Sequence, residues 1–536
     1  MRKWIQAFFL LVFTFLFFMA ADPLDISMPV NLFLRLDPLI ALTSILASRE
    51  IYLPILLSLI ILVSALLFGR FFCGYICPLG ILIDVSQTIL PQRSQKSGKE
   101  PAARSSFRNL KYLILLFVIF CSLLGFNLVY LFDPISFTTR VYTFLLYPLT
   151  IFSINEVLDI LRPLAGKFHW TTLYYKSYFL PVYYMNMIVL ILFCAILLLN
   201  MLAPRFWCRN LCPLGGLLSF FSRWGIFKRQ VSNHCNQCMK CRTDCLMAAI
   251  MDDPQKTAAE ECIQCLRCKK ICPQSAISFQ VNVKQSSENF HSAFNLSKRG
   301  FLISIGAGAL TALNLKASPF SRVADARLIR PPGSLPEDAF LEKCVRCSEC
   351  MKVCPTNTLQ PSLWEKGLNG LWSPHLFPRL AGCDQTCSLC GKVCPTGAIR
   401  SLPIEEKKHA KIGTAFIVRS RCLVWEQDKD CFICDEQCPY NAIVFKWQDS
   451  LRRPFIIENK CNGCGFCEEQ CPVNGDSAII VTPHAELRLA EGSYIEAAKE
   501  FELSFDEDYT ENERFLYGNE ETGEWQDQKK MNRTNK

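Results

Sequence analysis

GRFFCGYICPLG, residues 69–80, returns as PRFWCRNLCPLGG at residues 204–216. Each copy closes an apolar segment and reads Arg-Phe-aromatic-Cys-x-x-x-Cys-Pro-Leu-Gly. The repeat sets Cys73, Cys77, Cys208 and Cys212 at equivalent places in two duplicated halves. Upstream of each copy the chain is lipid-soluble; downstream of the second it is a succession of cysteine motifs.

The 536 residues include 30 cysteines, and 51% are apolar. That apolar share is high for a soluble protein and falls in discrete runs. The formal net charge is +9. The basic residues cluster beside the apolar runs, so they report topology and no nucleic-acid partner is expected. No C-x-x-C-H, G-x-G-x-x-G or P-loop motif is present, which removes covalent haem and gives no support to a nucleotide site.

Trp4–Ala20, Tyr52–Phe68, Tyr112–Phe132 and Tyr183–Leu202 each approach the roughly 20 residues that span a bilayer. The first run, after Arg2 and Lys3, reads as a cleaved signal or a retained helix; the duplication favours retention. Arg70, Arg93, Lys96, Lys99, Arg104, Arg108 and Lys111 follow the second run, and Arg205, Arg209, Arg223, Lys228 and Arg229 follow the fourth. The positive-inside rule puts both loops, both Cys motifs and the N-terminus in the cytoplasm. Each half runs helix, Asp-Pro, helix, Cys motif, with Asp37-Pro38 and Asp133-Pro134 in register. Asp before Pro is first of all a helix start, with Asp as N-cap and Pro at N1. The external loops 21–50 and 133–180, rich in Leu, Phe and Tyr, are expected to form interfacial or re-entrant helices.

Past residue 230 the cysteine spacing carries the chemistry. Cys235, Cys238, Cys241, Cys245 and Cys262, Cys265, Cys268, Cys272 are two C-x2-C-x2-C-x3-C runs. In such two-cluster units the fourth cysteine of each run ligates the other [4Fe–4S] cluster. Leu246 stands where a Pro is usual. Four more quartets follow: Cys344, Cys347, Cys350, Cys354; Cys383, Cys387, Cys390, Cys394; Cys422, Cys431, Cys434, Cys438; and Cys461, Cys464, Cys467, Cys471. First pairs with second and third with fourth, or first with fourth and second with third. TGAI, NAIVF and SAIIV after the later motifs read as short strands packing clusters. The 24 cysteines make six clusters; zinc and disulfides fit the repeated spacing poorly. The four membrane thiols fit a seventh cluster or a redox-active dithiol pair. Cys121 and Cys194, each alone in a helix, read as packing.

The fold class is a polytopic α-helical membrane domain plus α+β bacterial ferredoxin-type [4Fe–4S] domains. The divisions are 1–230 membrane, 231–290 two-cluster ferredoxin, 291–340 signal or anchor helix and linker, 341–482 four-cluster ferredoxin, and 483–536 acidic tail. In the hinge, Lys298-Arg299 before the apolar run Phe301–Leu315 resembles a twin-arginine export signal, with Ala324-Asp325-Ala326 like a cleavage site. RPPGSLPE, 330–337, reads as linker, and a helix is expected near Tyr494–Glu502.

Together these motifs resemble two families on one chain. Residues 1–290 resemble the NapH-type membrane ferredoxins, with two Cys-x-x-x-Cys-Pro motifs and a cytoplasmic two-cluster ferredoxin. Residues 296–482 resemble the exported NapG/MauM-type ferredoxins. The resemblance implies an electron-transfer component of a quinol dehydrogenase in a bacterial cytoplasmic membrane, multi-pass, with its last domain in the periplasm. Quinol is then the substrate, lipid and quinone are partners, and the acceptor is a periplasmic cytochrome or reductase. Asp37 and Asp133 are the candidate quinol proton acceptors beside their capping role. A maturation factor of FixG/RdxA type, or a redox regulator, is the alternative; the four additional clusters and the lack of a sensor module count against these.

Overall fold

The computed structural model describes residues 2–21, 29–89, 107–281, 298–317 and 327–505 apart from 364, 366 and 450, together with 516–518 and 525–527. The candidate cleavage site at 324–326, much of the basic loop after Ile89 and most of the acidic tail lie outside them.

Two described helices are long and apolar enough to cross a membrane, Arg2–Met19 and Pro134–Lys167. The second is 34 residues long and passes through a π-turn at Tyr142–Leu146. It occupies the segment expected as an external loop. The other apolar helices are shorter: Pro38–Ser48, Leu53–Phe68, Pro78–Ile89, Asn186–Met201 and Pro213–Ser222. The run Tyr112–Phe132 is helical as Leu110–Leu123 and then turns at Val129–Leu131. Phe8, Leu11, Ile60, Val63, Phe152 and Ile191 all face outward, so the bundle wears an apolar surface where a soluble protein is polar.

Local chemistry starts the inner helices. Asp37 caps Pro38–Ser48, its side chain accepting from Leu39 N and Ile40 N, and Asp133 caps Pro134–Val141, accepting from Ser136 N. In both, Pro at N1 has no N–H to leave unpaired. Both caps are fully buried, as is most of Pro38–Ser48. The loop 21–50 therefore contributes a core helix.

Two iron–sulfur-type modules dock on opposite ends of this bundle. The first, closed by an antiparallel pair of Phe227–Val231 with Ile277–Val281, sits on the Cys motifs. The second occupies residues 327–505. Helix Arg2–Met19 touches both ends. Gln6 Nε2 donates to Gly74 O at 3.0 Å beside the first module, while Phe17 O accepts from Lys352 Nζ of the second at 2.5 Å. Eighteen helical residues cover about 27 Å. Leu110–Leu123 gives the same reading: Lys111 Nζ binds Glu261 of the first module at 2.5 Å, and past the other end Asn127 Nδ2 donates to Glu342 O of the second at 2.9 Å. Lys298–Ala317 packs along Leu110–Leu123. Gly308 permits the approach, since a Cβ there would lie 2.9 Å from the Phe120 ring. Cys121, expected as packing, donates to Gly308 O at 3.8 Å. Leu315 near the end of that helix joins Tyr130, Met185 and Trp372 at the second module.

Three expectations change in the second module. NAIVF and SAIIV enter strands Ile443–Gln448 and Ile479–Thr482, but TGAI makes only a bridge from Ile399 to Ser334. Residues 330–335 are buried and so are no linker. The tail begins later than residue 483: helix Tyr494–Glu500 packs with Tyr494 fully buried, and Ser493 Oγ donates to Glu406 at 2.5 Å.

The helix Glu337–Lys343, which delivers Cys344, is anchored by charge. Glu337 accepts from Arg330 Nη2 at 2.7 Å and Arg488 Nη1 at 2.7 Å. Burial alone would raise its carboxyl, but the two guanidiniums outweigh burial and hold it down to about 2. A depressed carboxylate stabilises the fold above its unfolded pKa and ceases to as pH falls through the folded value. The contribution at neutral pH is about 3 kcal/mol. Glu337→Gln is expected to lower stability by about 2–3 kcal/mol at pH 7, with the gap to the parent cut by more than half near about pH 3. Thermal unfolding of both proteins across that range measures it.

Candidate functional site

The repeated Arg-Phe-aromatic-Cys motif folds as two short helices, Phe71–Tyr75 and Phe206–Asn210, each followed by a longer helix with Pro at its first position. The four thiols of Cys73, Cys77, Cys208 and Cys212 are buried and lie within electrostatic reach of one another. Two fully buried arginines cross between the copies. Arg70 Nη2 donates to Cys208 O at 3.3 Å, and Arg205 Nη1 donates to Cys73 O at 2.9 Å. Each cation has its own acid: Asp84 takes Arg205 at 2.7 Å, and Glu261 takes Arg70 at 2.8 Å.

Glu261 belongs to the first ferredoxin-type module, one residue before Cys262. It also accepts from Lys111 and, at 3.2 Å, from Tyr112. Tyr75 Oη donates to Gln264 O at 2.9 Å. At Gly74 a Cβ would stand 2.6 Å from Ile263 O, so only glycine allows this approach. The module is thus pressed onto the first Cys motif through the loop that carries Cys262 and Cys265.

Its own thiols divide as the spacing implies. Cys245, Cys262, Cys265 and Cys268 line one cavity of about 390 Å³. Cys241 lies near Cys235 and Cys238. In the second module four cavities of about 330–410 Å³ are each lined by four cysteines. Cys344, Cys347, Cys350 and Cys394 line the first; Cys354, Cys383, Cys387 and Cys390 the second. Cys438, Cys461, Cys464 and Cys467 line the third; Cys422, Cys431, Cys434 and Cys471 the fourth. In every set the fourth cysteine of one run joins its neighbour's three, first with second and third with fourth.

The donor chemistry fits [4Fe–4S] clusters. None of the 30 cysteines is paired in a disulfide. Backbone N–H groups point at sulfur, from Ala249 to Cys245, Ala415 to Cys461 and Ala442 to Cys438, at 3.3–3.4 Å. Burial pushes the thiols of Cys268, Cys387 and Cys438 up to about 11 and that of Cys434 up to about 12. Such pockets hold four thiolates together only around a cationic centre.

The sets have an order. The Cys344 set is sunk into the bundle, with residues 344–350 all buried. Arg346 lies over the Tyr130 ring at 4.2 Å and donates to Asn127 O at 2.5 Å. Lys352 caps the last carbonyls of Arg2–Met19, and Asn31 Nδ2 donates to Val393 O at 2.9 Å. Cys350 of this set is within reach of Cys390 of the second. Cys383 N then donates to Cys464 O at 2.7 Å, joining the second set to the third. Cys467 of the third lies near Cys434 of the fourth. Asp37 and Asp133 meet inside the bundle, close to this docking face, where Ser136 Oγ donates to Val345 O at 3.4 Å. Sequence reasoning read Arg70 and Arg205 only as loop charges and gave no site role to Asp84, Glu261 or Gly74. The signal for the arginines was in the repeat itself, where each precedes its motif at the same distance.

Comparison with known proteins agrees with this chemistry. A 4Fe-4S binding domain family matches residues 51–97 and 185–232, one copy for each repeated Cys motif. A 4Fe-4S dicluster domain matches residues 429–475, and another 4Fe-4S binding domain matches 340–360. The methylamine utilization ferredoxin-type protein MauM of Paracoccus denitrificans is 37% identical over 165 residues, 30% of this chain and 71% of that protein. The ferredoxin-type protein NapG of Escherichia coli is 33% identical over 169 residues, 29% of this chain and 72% of that protein. An uncharacterized protein of Methanocaldococcus jannaschii is 28% identical over 228 residues, 42% of this chain and 79% of that protein. No solved structure matches. Iron–sulfur electron transfer is therefore the chemistry of this chain, which belongs to the MauM/NapG family of ferredoxin-type proteins.

Proposed function

We propose that this protein carries electrons across a bacterial cytoplasmic membrane, from quinol to a redox protein on the outer side. The observation that supports this best is the docking of its two iron–sulfur modules on opposite ends of one apolar bundle. The six cysteine sets outside the membrane motifs hold six [4Fe–4S] clusters, each a one-electron carrier when bound. Cys73, Cys77, Cys208 and Cys212 hold a seventh. The iron–sulfur family match over both motifs favours that over a dithiol pair. The chain is multi-pass, with the first module in the cytoplasm and residues 327–505 in the periplasm. The fourth set of the second module, Cys422, Cys431, Cys434 and Cys471, is farthest along the order from the bundle and passes electrons to a cytochrome or reductase.

Anaerobically isolated protein should contain 24–28 iron atoms and equal acid-labile sulfide by chemical analysis, from six or seven four-iron clusters. Sixteen or fewer in fully loaded protein would refute the assignment.

Topology is the second test. Protease added to intact spheroplasts should digest residues 327–505 in the parent. Lys298→Gln with Arg299→Gln should protect that segment while residues 1–281 stay inserted. In vesicles, a quinol should reduce the second module's clusters in the parent and not in Cys73→Ser/Cys208→Ser. Protection of the segment in the parent sinks the transmembrane reading.

Gly74→Ala supplies a third. The added methyl must move Ile263 O and with it the Cys262–Cys265 loop. Electron exchange between the first module and the membrane site should slow by about 10-fold or more while cluster content is unchanged, read by stopped-flow absorbance. An unchanged rate would mean that electrons do not pass at this contact.

A further inference from the structure

Asp37 and Asp133 are buried acidic groups that the electron path leaves unused, and both are 0% exposed. Both side chains are fully buried, and each spends one oxygen on its own helix. Asp37 Oδ1 accepts from Leu39 N at 2.8 Å and Ile40 N at 3.3 Å, and Asp133 Oδ2 accepts from Ser136 N at 2.7 Å. The other two oxygens, Asp37 Oδ2 and Asp133 Oδ1, have no donor. The two side chains lie within electrostatic reach of each other, each with a buried oxygen that no protein group donates to. Carboxylates are acceptors only, so two unpartnered buried carboxyl oxygens side by side are satisfied only by a proton on one of them. Two buried like charges in contact would otherwise repel with nothing between them.

We propose that Asp37 and Asp133 share one proton between Asp37 Oδ2 and Asp133 Oδ1, and that the pair is a single internal proton-accepting site. Two helix N-termini, of Pro38–Ser48 and Pro134–Val141, converge on it and stabilise the one remaining negative charge. The charged group facing it is Arg140, on the helix that Asp133 caps. Arg140 Nη1 is itself unpartnered, and its guanidinium stacks on Trp372 at 4.4 Å. Uptake of a second proton forms one O–H bond and leaves two neutral carboxyls; no electron moves in that step. Neither residue is exposed, so protons reach the pair through the bundle and not from a ligand in direct contact. This deepens the proposed quinol reaction by giving its proton a destination, and rests on that reading only for the use made of the site.

Infrared spectroscopy of the full-length protein at neutral pH tests it without quinol. The parent should show a protonated-carboxyl C=O band that shifts in D2O. Asp37→Asn and Asp133→Asn should each abolish the same band, because in either variant the amide donates and the surviving carboxyl is ionised. Asn also caps helices well, so both variants should fold, with unchanged circular dichroism as the control. Loss of the band in only one variant would place the proton on one independent residue and overturn the sharing. Absence of the band from the parent would overturn it as well. Failure of the quinol reaction alone leaves the band, so the two readings fail separately.

Discussion

Two buried guanidiniums, crossed between duplicated halves, hold the centre of this protein together. Arg70 reaches the backbone of the second Cys motif and Arg205 that of the first. A cation in a low-dielectric interior is tolerated only when paired and hydrogen-bonded, and removing one partner of a buried pair costs about 3–5 kcal/mol. The sequence meets that demand unequally. Asp84 serves Arg205 from within the bundle, helped by Arg2 and Gln6. Arg70 takes its acid from another module, Glu261. Docking of the first ferredoxin-type module is therefore required for charge balance at the motif, and not merely permitted by shape.

The same inequality breaks the symmetry of the repeat. The residue after the first cysteine is Gly74 in one copy and Arg209 in the other. The module loop comes close enough at Gly74 to exclude any side chain, so it meets one copy only. At the opposite end the docking groups are again buried cations on backbone carbonyls. Lys352 sits on the end of Arg2–Met19 and Arg346 on Asn127. Carbonyls ending a helix are the partial negative charges for which a buried ammonium is best suited. Both modules are thus fixed by charge at sites where their cysteine loops approach the bundle.

How much of this was legible in the sequence depends on the range of the interaction. The cysteine sets were legible because ligand spacing is local, and so were the caps at Asp37 and Asp133, because N-capping acts within a turn. The strands in NAIVF and SAIIV followed from the same local logic, whereas TGAI lacked a partner beyond one bridge at Ser334. Residues 330–335 read as linker from their prolines and glycine, yet Arg330 is buried by its pairing with Glu337, which also holds Arg488. That triad spans more than 150 positions, and no local pattern announces it. The helix expected within 133–180 runs unbroken over Pro134–Lys167, and its length was hidden for a different reason. Asn155, Glu156, Asp159 and Arg162 interrupt its apolar run, and their cost is low because they lie on an exposed stretch late in the helix.

A duplication whose products each hold half of every site inside the bundle constrains how the bundle is built. Each half brings two of the four repeat-motif thiols, one of the two crossing arginines and one of the two carboxyls. None of these works alone. Two thiols are half of a four-thiol site, an uncrossed arginine is an unpaired buried charge, and a lone carboxyl has no partner for its free oxygen. All three pairs form across the same interface between halves, the thiols near the first module and the carboxyls nearer the second. An error in the packing of the halves would therefore disturb all three at once. The energetic penalty for separating the halves rises with every pair, so the sites and the fold of the bundle are set by one constraint.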